Sequence, residues 1–294
     1  MKLDFIVAGY SKCGTTTLCS MLMSHPQLFI PPRFKEPRFF IDDAYKLRWQ
    51  WFSNLFHEAS ADMLLGEGTV AYSEFEFAEA CCQRIEKTFP EIKIMLIARD
   101  PIDRLESSFR EMHSSGPDWA LDCPFEIKDA LMDLPNMLKD TQYYEILSIY
   151  QRYFQEEKLL VLFQEDLKSK PQDVLEQCFK FLGVDSKPVA SLEGRQLNRA
   201  TDKFYDTEAL RELRNLKLHP EGTPHLRKIP TYLQNQLLPR LNLRKPFQKK
   251  KLNWSKEAKA LVIRKLGSGP EKFLQAQGKD LGFWPRYRSF LKEV

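Results

Sequence analysis

The chain has 294 residues, 43% of them hydrophobic, with 44 basic and 40 acidic side chains and a formal net charge of +4. That is ample material for one large domain or two small ones, and so mild a charge gives no case for a nucleic-acid-binding protein, though it permits one local anion site. The six cysteines, Cys13, Cys19, Cys81, Cys82, Cys123 and Cys178, form no CxxC pair and have no histidine pair nearby, so zinc is not expected and the thiols read as reduced.

No window holds the roughly 18 apolar residues of a membrane helix, and FIVAG is too short for a signal-peptide core. With Met1 as the native start, the expectation is a cytoplasmic protein. In chain order, the apolar runs predict strands at Leu3–Ala8, Leu28–Ile30, Met63–Gly66, Ile92–Ala98 and Leu159–Phe163. Helical patterns fall between them, at Thr15–Ser24 (ended by His25-Pro26), Tyr45–Glu58, Phe77–Thr88, Pro101 to about Met112, Gln142–Gln155 and Pro171–Leu182. A loop with a short helix is expected over Ser114–Leu134. Lys187–Pro246 mixes loops and helical pieces, and Trp254–Gly278 reads as one or two helices. Strands alternating with helices imply an α/β fold, a central parallel sheet flanked by helices. With no repeat and no Gly/Ser linker, one domain over 1–294 is expected.

The first strand runs into GYSKCGTTT, residues 9–17, and then a helix. The unpaired first-turn amides of such a helix, with its dipole, make an anion site. Gly14 lets the backbone approach closely, Thr15, Thr16 and Thr17 add hydroxyls, and Lys12 adds a point charge. The loop suits a phosphate-like group. It is not a Walker A loop, in which lysine follows the second glycine, because Lys12 precedes Gly14. A plain helix cap with a solvated lysine is the alternative.

The strand IKIMLIA ends in RDPIDRLESSF, residues 99–109. Arg99 stands just past the carboxyl end, where open α/β sheets place ligands, and suits a bidentate phosphate contact. Ser107, two turns into the following helix, adds a hydroxyl. Two anion sites on neighbouring strand ends imply a ligand with two separated anionic groups. The alternative is a surface salt-bridge cluster of Arg99, Asp100, Asp103 and Arg104.

Together these motifs resemble the sulfotransferases that use 3′-phosphoadenosine 5′-phosphosulfate (PAPS). SKCGTTTL is similar to that family's 5′-phosphosulfate loop, RDPIDRLESSF to its R-x-P-x-x-R-x-x-S motif for the 3′-phosphate, and VLFQEDLKSKPQDVLEQCFKFLGV to its later strand–EDL–helix stretch. The likeness covers roughly Leu3 to Asp185. It implies a P-loop-like strand–loop–helix phosphosulfate site in a core of residues 3–185, with residues 186–294 closing the cofactor and acceptor sites. It further implies PAPS as donor and adenosine 3′,5′-bisphosphate (PAP) as product, with no metal. Lys12, Cys13, Gly14, Thr15, Thr16 and Thr17 would hold the phosphosulfate end, and Arg99 and Ser107 the 3′-phosphate.

KEPRFF, residues 35–40, resembles the stretch of the glycan N- and O-sulfotransferases of heparan sulfate type whose glutamate is the catalytic base, which here is Glu36. Lys12 would stabilise the leaving phosphate. A surface ion pair of Glu36 with Lys35 or Arg38 is the rival reading, and His113 is the second candidate base. Glu67, in GEGTVAY, could orient the acceptor or Lys12, with Lys35 beside it, or be structural. Some glycan enzymes carry a lysine where Gly68 stands. The loop near Asn198 falls where the family closes over its cofactor. The basic run Arg244–Lys251 offers an anionic-surface contact or a solvated face, and Phe39, Phe40, Trp49, Trp51 and Phe52 a cleft lining or core.

The resemblance implies in-line sulfuryl transfer to a hydroxyl or amine, on a carbohydrate or glycoconjugate. A lipid, polyketide or other small alcohol is the alternative acceptor. An atypical ATP-dependent small-molecule kinase and a non-catalytic nucleotide-binding protein are the alternatives of other classes.

Overall fold

The computed structural model describes residues 2–115, 123–185, 203–215, 233–247 and 252–294. The loop around Asn198 and the end of the basic run, 248–251, lie outside the described residues. The strands are β1 (Phe5–Gly9), β2 (Leu28–Phe29), β3 (Leu64–Glu67), β4 (Lys93–Ala98), β5 (Leu159–Phe163), β6 (Phe204–Asp206) and β7 (Arg244–Pro246). The helices are α1 (Thr15–Leu22), α2 (Trp49–Asn54), α3 (Ala78–Thr88), α4 (Pro101–Ser115), α5 (Ile127–Asp133), α6 (Asn136–Lys139) and α7 (Tyr143–Tyr153), followed by α8 (Gln164–Ser169), α9 (Pro171–Leu182), α10 (Glu208–Asn215), α11 (Leu238–Arg240), α12 (Lys256–Leu266), α13 (Gly269–Ala276) and α14 (Pro285–Glu293).

The fold is α/β. Strands β1 to β5 form a parallel sheet in the order β2-β3-β1-β4-β5, with Phe5 opposite Gly66 on one side and Lys93 on the other. Parallel neighbours cannot be joined by a tight turn, so helical crossovers carry the chain between them. β1 and β4 are hydrogen-bonded on both sides, and their apolar runs are almost wholly buried, as strands covered on both faces require. Because all five strands run the same way, β1, β3, β4 and β5 end on one edge, at Gly9, Glu67, Ala98 and Phe163.

The chain packs as two compact units, each assembled from separate segments. The first, residues 1–101, 138–197 and 266–289, holds this sheet, α1 to α3, α7 to α9, α13 and the first five residues of α14. The second comprises 102–137, 198–265 and 290–294. Within it β6 and β7 pair antiparallel, Asp206 opposite Arg244. Asp206, wholly enclosed, accepts from Arg214 Nε at 2.6 Å and pairs with Arg244 Nε at 2.8 Å, and both arginines reach Gln234 Oε1 at 3.3 Å. The first cation of the basic run, Arg244, is therefore a buried structural group, because an enclosed charge needs a partner.

Several elements differ from their sequence signatures. Tyr45–Glu58 opens as a 3₁₀ turn, Tyr45–Arg48, before the short α2. The β6–β7 pair and α8 and α14 carry no strong local signal and are additions to the expected set. Phe39, Phe40 and Phe52 are buried, with Phe39 stacked on Phe52 at 4.0 Å, so these aromatics are core and line no cleft.

Candidate active site

The loop after β1 is held from below by its own side chains. Tyr10 N donates to Ile97 O of β4 at 2.8 Å, which pins the exit of β1 to its neighbour. The buried Tyr10 hydroxyl donates to Tyr143 O at 3.0 Å, and Cys13 Sγ is hydrogen-bonded to the Tyr143 hydroxyl at 3.4 Å. With Tyr10 and Cys13 turned into the core, Cys13 is a buttress of the loop. Lys12, between them in sequence, sits half-exposed with φ +67°, a left-handed conformation that non-glycine residues rarely adopt. Gly14 has φ +102° and forms the N-cap of α1 without any side-chain cap. A Cβ there would stand 3.1 Å from Gln164 Nε2, so glycine is required by conformation and by space. The amides of Thr15, Thr16 and Thr17 thus head a helix with no carboxylate or hydroxyl capping it.

Arg99, past the end of β4, donates from Nη1 to Lys12 O at 3.4 Å. The two sequence motifs therefore meet, although Arg99 touches the loop's backbone as well as offering a guanidinium. Two of the neighbours read as surface groups are buried. Asp100 and Arg104 are 2% and 1% exposed. The Asp100 amide donates to Glu165 Oε1 at 2.8 Å, while Asp100 Oδ2 accepts from the amides of Arg286 and Tyr287 at 3.0 and 3.2 Å, capping α14. In the second unit, Arg104 donates to Met137 O. Ser107 lies there too, half-buried in the second turn of α4.

KEPRFF wraps the end of β3. Its two phenylalanines anchor it in the core, and Arg48 Nη2 clamps its backbone by donating to Arg38 O and Phe39 O, both at 3.1 Å. Gly68 N donates to Lys35 O at 2.7 Å, and Arg38 N to Thr69 Oγ1 at 3.1 Å. Glu36 is consequently held at the rim, its side chain 34% exposed, with Oε1 2.6 Å from Lys35 Nζ. The ion pair foreseen as the rival reading exists. It occupies one carboxyl oxygen and leaves the group accessible.

Glu67, at the end of β3, is wholly buried. Oε2 accepts from Thr69 N at 2.7 Å, and Oε1 has no hydrogen-bond partner among the described residues. Burial pushes its pKa up to about 7, the nearby Glu36 charge adds to that rise, and hydrogen bonds from Thr69 and Tyr72 oppose it.

His113 is a buried residue of the second unit. Nε2 hydrogen-bonds Pro124 O at 3.1 Å and Nδ1 faces Arg211 Nη2 at 3.0 Å. Burial, then the Arg211 charge, lower its pKa to about 4. A ring with both nitrogens engaged has none left for a substrate proton, so the geometry gives His113 a structural role. Sequence reasoning missed Gln164 and named Asp100 only within a surface cluster. Each sits next to a strand end, the position that could have drawn attention to it.

Among the described residues no group of three or more His, Cys, Asp or Glu side chains is placed to hold a metal ion, and no helix is long and apolar enough to cross a membrane. A family model described as a sulfotransferase domain matches residues 2–227. The chain is 28% identical over 196 residues to bifunctional heparan sulfate N-deacetylase/N-sulfotransferase 3 of Mus musculus, covering 61% of this chain and 22% of that protein. It is 25% identical over 292 residues to the bifunctional heparan sulfate N-deacetylase/N-sulfotransferase of Drosophila melanogaster, covering 90% of this chain and 26% of the relative. This chain thus spans a minor part of both relatives' length. Among solved structures, a sulfotransferase from Alicyclobacillus acidocaldarius superposes with a TM-score of 0.54 at 22% identity, over 67% of this chain and 87% of that one, a likeness of fold alone.

Proposed function

The chain belongs to the sulfotransferase-domain family, and from that premise we propose that it moves a sulfuryl group from PAPS to a hydroxyl or amine of a carbohydrate or glycoconjugate. The observation that carries this reading is the loop after β1. It presents Lys12 and the uncapped first turn of α1 on one strand end, and Arg99 lies against it from the next. That donor set fits a phosphosulfate. It supplies amides, hydroxyls and two cations, and no carboxylate that would repel an anion caps the helix.

PAPS brings the activated sulfuryl group, and the chain's residues position and stabilise. Lys12, Gly14, Thr15, Thr16 and Thr17 hold the phosphosulfate end, with Cys13 bracing the turn from the core side. Lys12 balances the negative charge that grows on the 5′-phosphate oxygen as the sulfur–oxygen bond breaks. Arg99 and Ser107 are assigned to the 3′-phosphate on the motif they belong to. Glu36, half-exposed beside Lys35, takes the acceptor's proton as the new bond to sulfur forms. Glu67, buried at the end of β3, holds the amide of Thr69, whose hydroxyl accepts from Arg38 N of the KEPRFF loop. In-line transfer of this kind needs positioning and charge complementarity, and the scheme calls on no metal.

The glycan acceptor is supported by the KEPRFF stretch and by the names of the relatives. A lipid, polyketide or other small alcohol is the second acceptor class. An ATP-dependent kinase would want its lysine after the second glycine.

The test is calorimetric titration with PAP, and with ATP and Mg²⁺, of wild type and Lys12→Ala. Micromolar or tighter PAP binding, poorly matched by ATP and weakened by about 10-fold or more in the variant, is expected. Absence of PAP binding by the wild type overturns the reading. On an acceptor found by screening, Glu36→Gln lowers kcat by about 10²- to 10⁴-fold while PAP affinity is kept.

A further inference from the structure

Lys35 does more in this structure than neutralise Glu36. Its stem runs over Gly68, where a Cβ would come within 3.2 Å of Lys35 Cγ and 2.7 Å of Cys19 Sγ. The absent side chain at 68 is therefore the channel that admits the lysine. Cys19 follows Thr15 by four residues and Thr16 by three, so all three share a face of α1. Gly68 thus lies between the lysine stem and Cys19, on the face of α1 whose first turn carries those hydroxyls. At its tip, Nζ donates to Gly68 O at 3.0 Å and lies 2.6 Å from Glu36 Oε1, with the side chain 18% exposed. An ammonium has three N–H donors. Two are accounted for by the strand end and by the base, which fix the nitrogen in place and leave the third directed elsewhere.

We propose that the third N–H of Lys35 binds an oxygen of the donor's sulfonate, so that one ammonium links the group being transferred to the carboxylate that deprotonates the acceptor. A half-buried cation held on two rigid acceptors is pre-organised for such a contact and loses little freedom on making it. The contact rests on the PAPS reading. It makes Lys35 a catalytic residue supplied by the KEPRFF loop.

The product PAP lacks the sulfonate, which allows a clean test. Wild type, Lys35→Met and Lys35→Arg are titrated calorimetrically with PAP and with PAPS in the absence of acceptor. Lys35→Met is expected to lose about 10-fold or more in PAPS affinity while its PAP affinity stays within about 2-fold of wild type, and Lys35→Arg to recover most of the loss. Retained PAP affinity also shows that the variant is folded. Equal loss for both ligands, or loss for neither, overturns the role of Lys35 and leaves the donor assignment standing. Failure of the wild type to bind either ligand overturns the donor assignment, and this inference with it.

Discussion

Glu67 ends β3 with its carboxyl enclosed and one oxygen unpartnered, and its pKa rises from 4.5 to about 7, chiefly through burial. Between those pH values the folded state holds a proton that the unfolded state has released. Stability therefore falls as pH rises through that window, by about 3 kcal/mol in all, and stays lower above it. Glu67→Gln keeps the shape and abolishes the ionisation. In thermal denaturation at pH 5 and pH 8, the glutamine variant should gain on wild type at pH 8 and match it more closely at pH 5; parallel curves would refute this. His113 acts in the opposite sense, because its pKa falls from 6.5 to about 4 and the stability tied to its neutral form is lost as pH drops through that interval. At this scale the sequence singled out Lys12, Gly14 and Arg99 as candidates from type and spacing, and Glu36 through the resemblance carried by KEPRFF. It did not separate His113 from the site, because a histidine's role depends on what its two nitrogens meet, here Pro124 and Arg211.

At the scale of elements, α14 shows what local reading omits. Its first-turn amides are satisfied by Asp100, a residue 186 positions before Arg286, so no cap stands beside the helix in sequence. Asp100 is itself oriented by Glu165, since its amide donates to that carboxyl. Asp100→Ala removes a buried acceptor from two backbone amides and should cost about 2 kcal/mol or more, read as a lower denaturant midpoint at unchanged slope. An unchanged midpoint would mean the cap contributes nothing. The elements legible in advance, β4, β5, α3 and α9, combine a strong apolar period with an ordinary start or stop: Pro171 opens α9 and Gly183, at φ +82°, closes it. Those misjudged rely on distant partners or are very short, as with β6 and β7, three residues each.

At the scale of the whole molecule, the sheet order places β1 at the centre between β3 and β4, and the apolar runs of β1 and β4 are almost wholly buried. Their amides should be the slowest to exchange with deuterated solvent, while the two-residue edge strand β2 and the β6–β7 pair exchange fastest. Exchange in β1 as fast as in β2 would contradict that order. The sequence by itself determined the α/β class and the position of the central strands, because apolar periodicity is a local property, and its motifs carried the resemblance that the family model bears out. The tertiary structure alone decided that Lys35 lies along Gly68 toward Glu36, that Arg99 rests on the Lys12 carbonyl, that Asp206 binds Arg214 and Arg244, and that Glu67 is sealed from water. Each of these depends on burial and on the approach of segments far apart in the chain, and a side chain's charge and reach are set by the neighbours that exclude water from it.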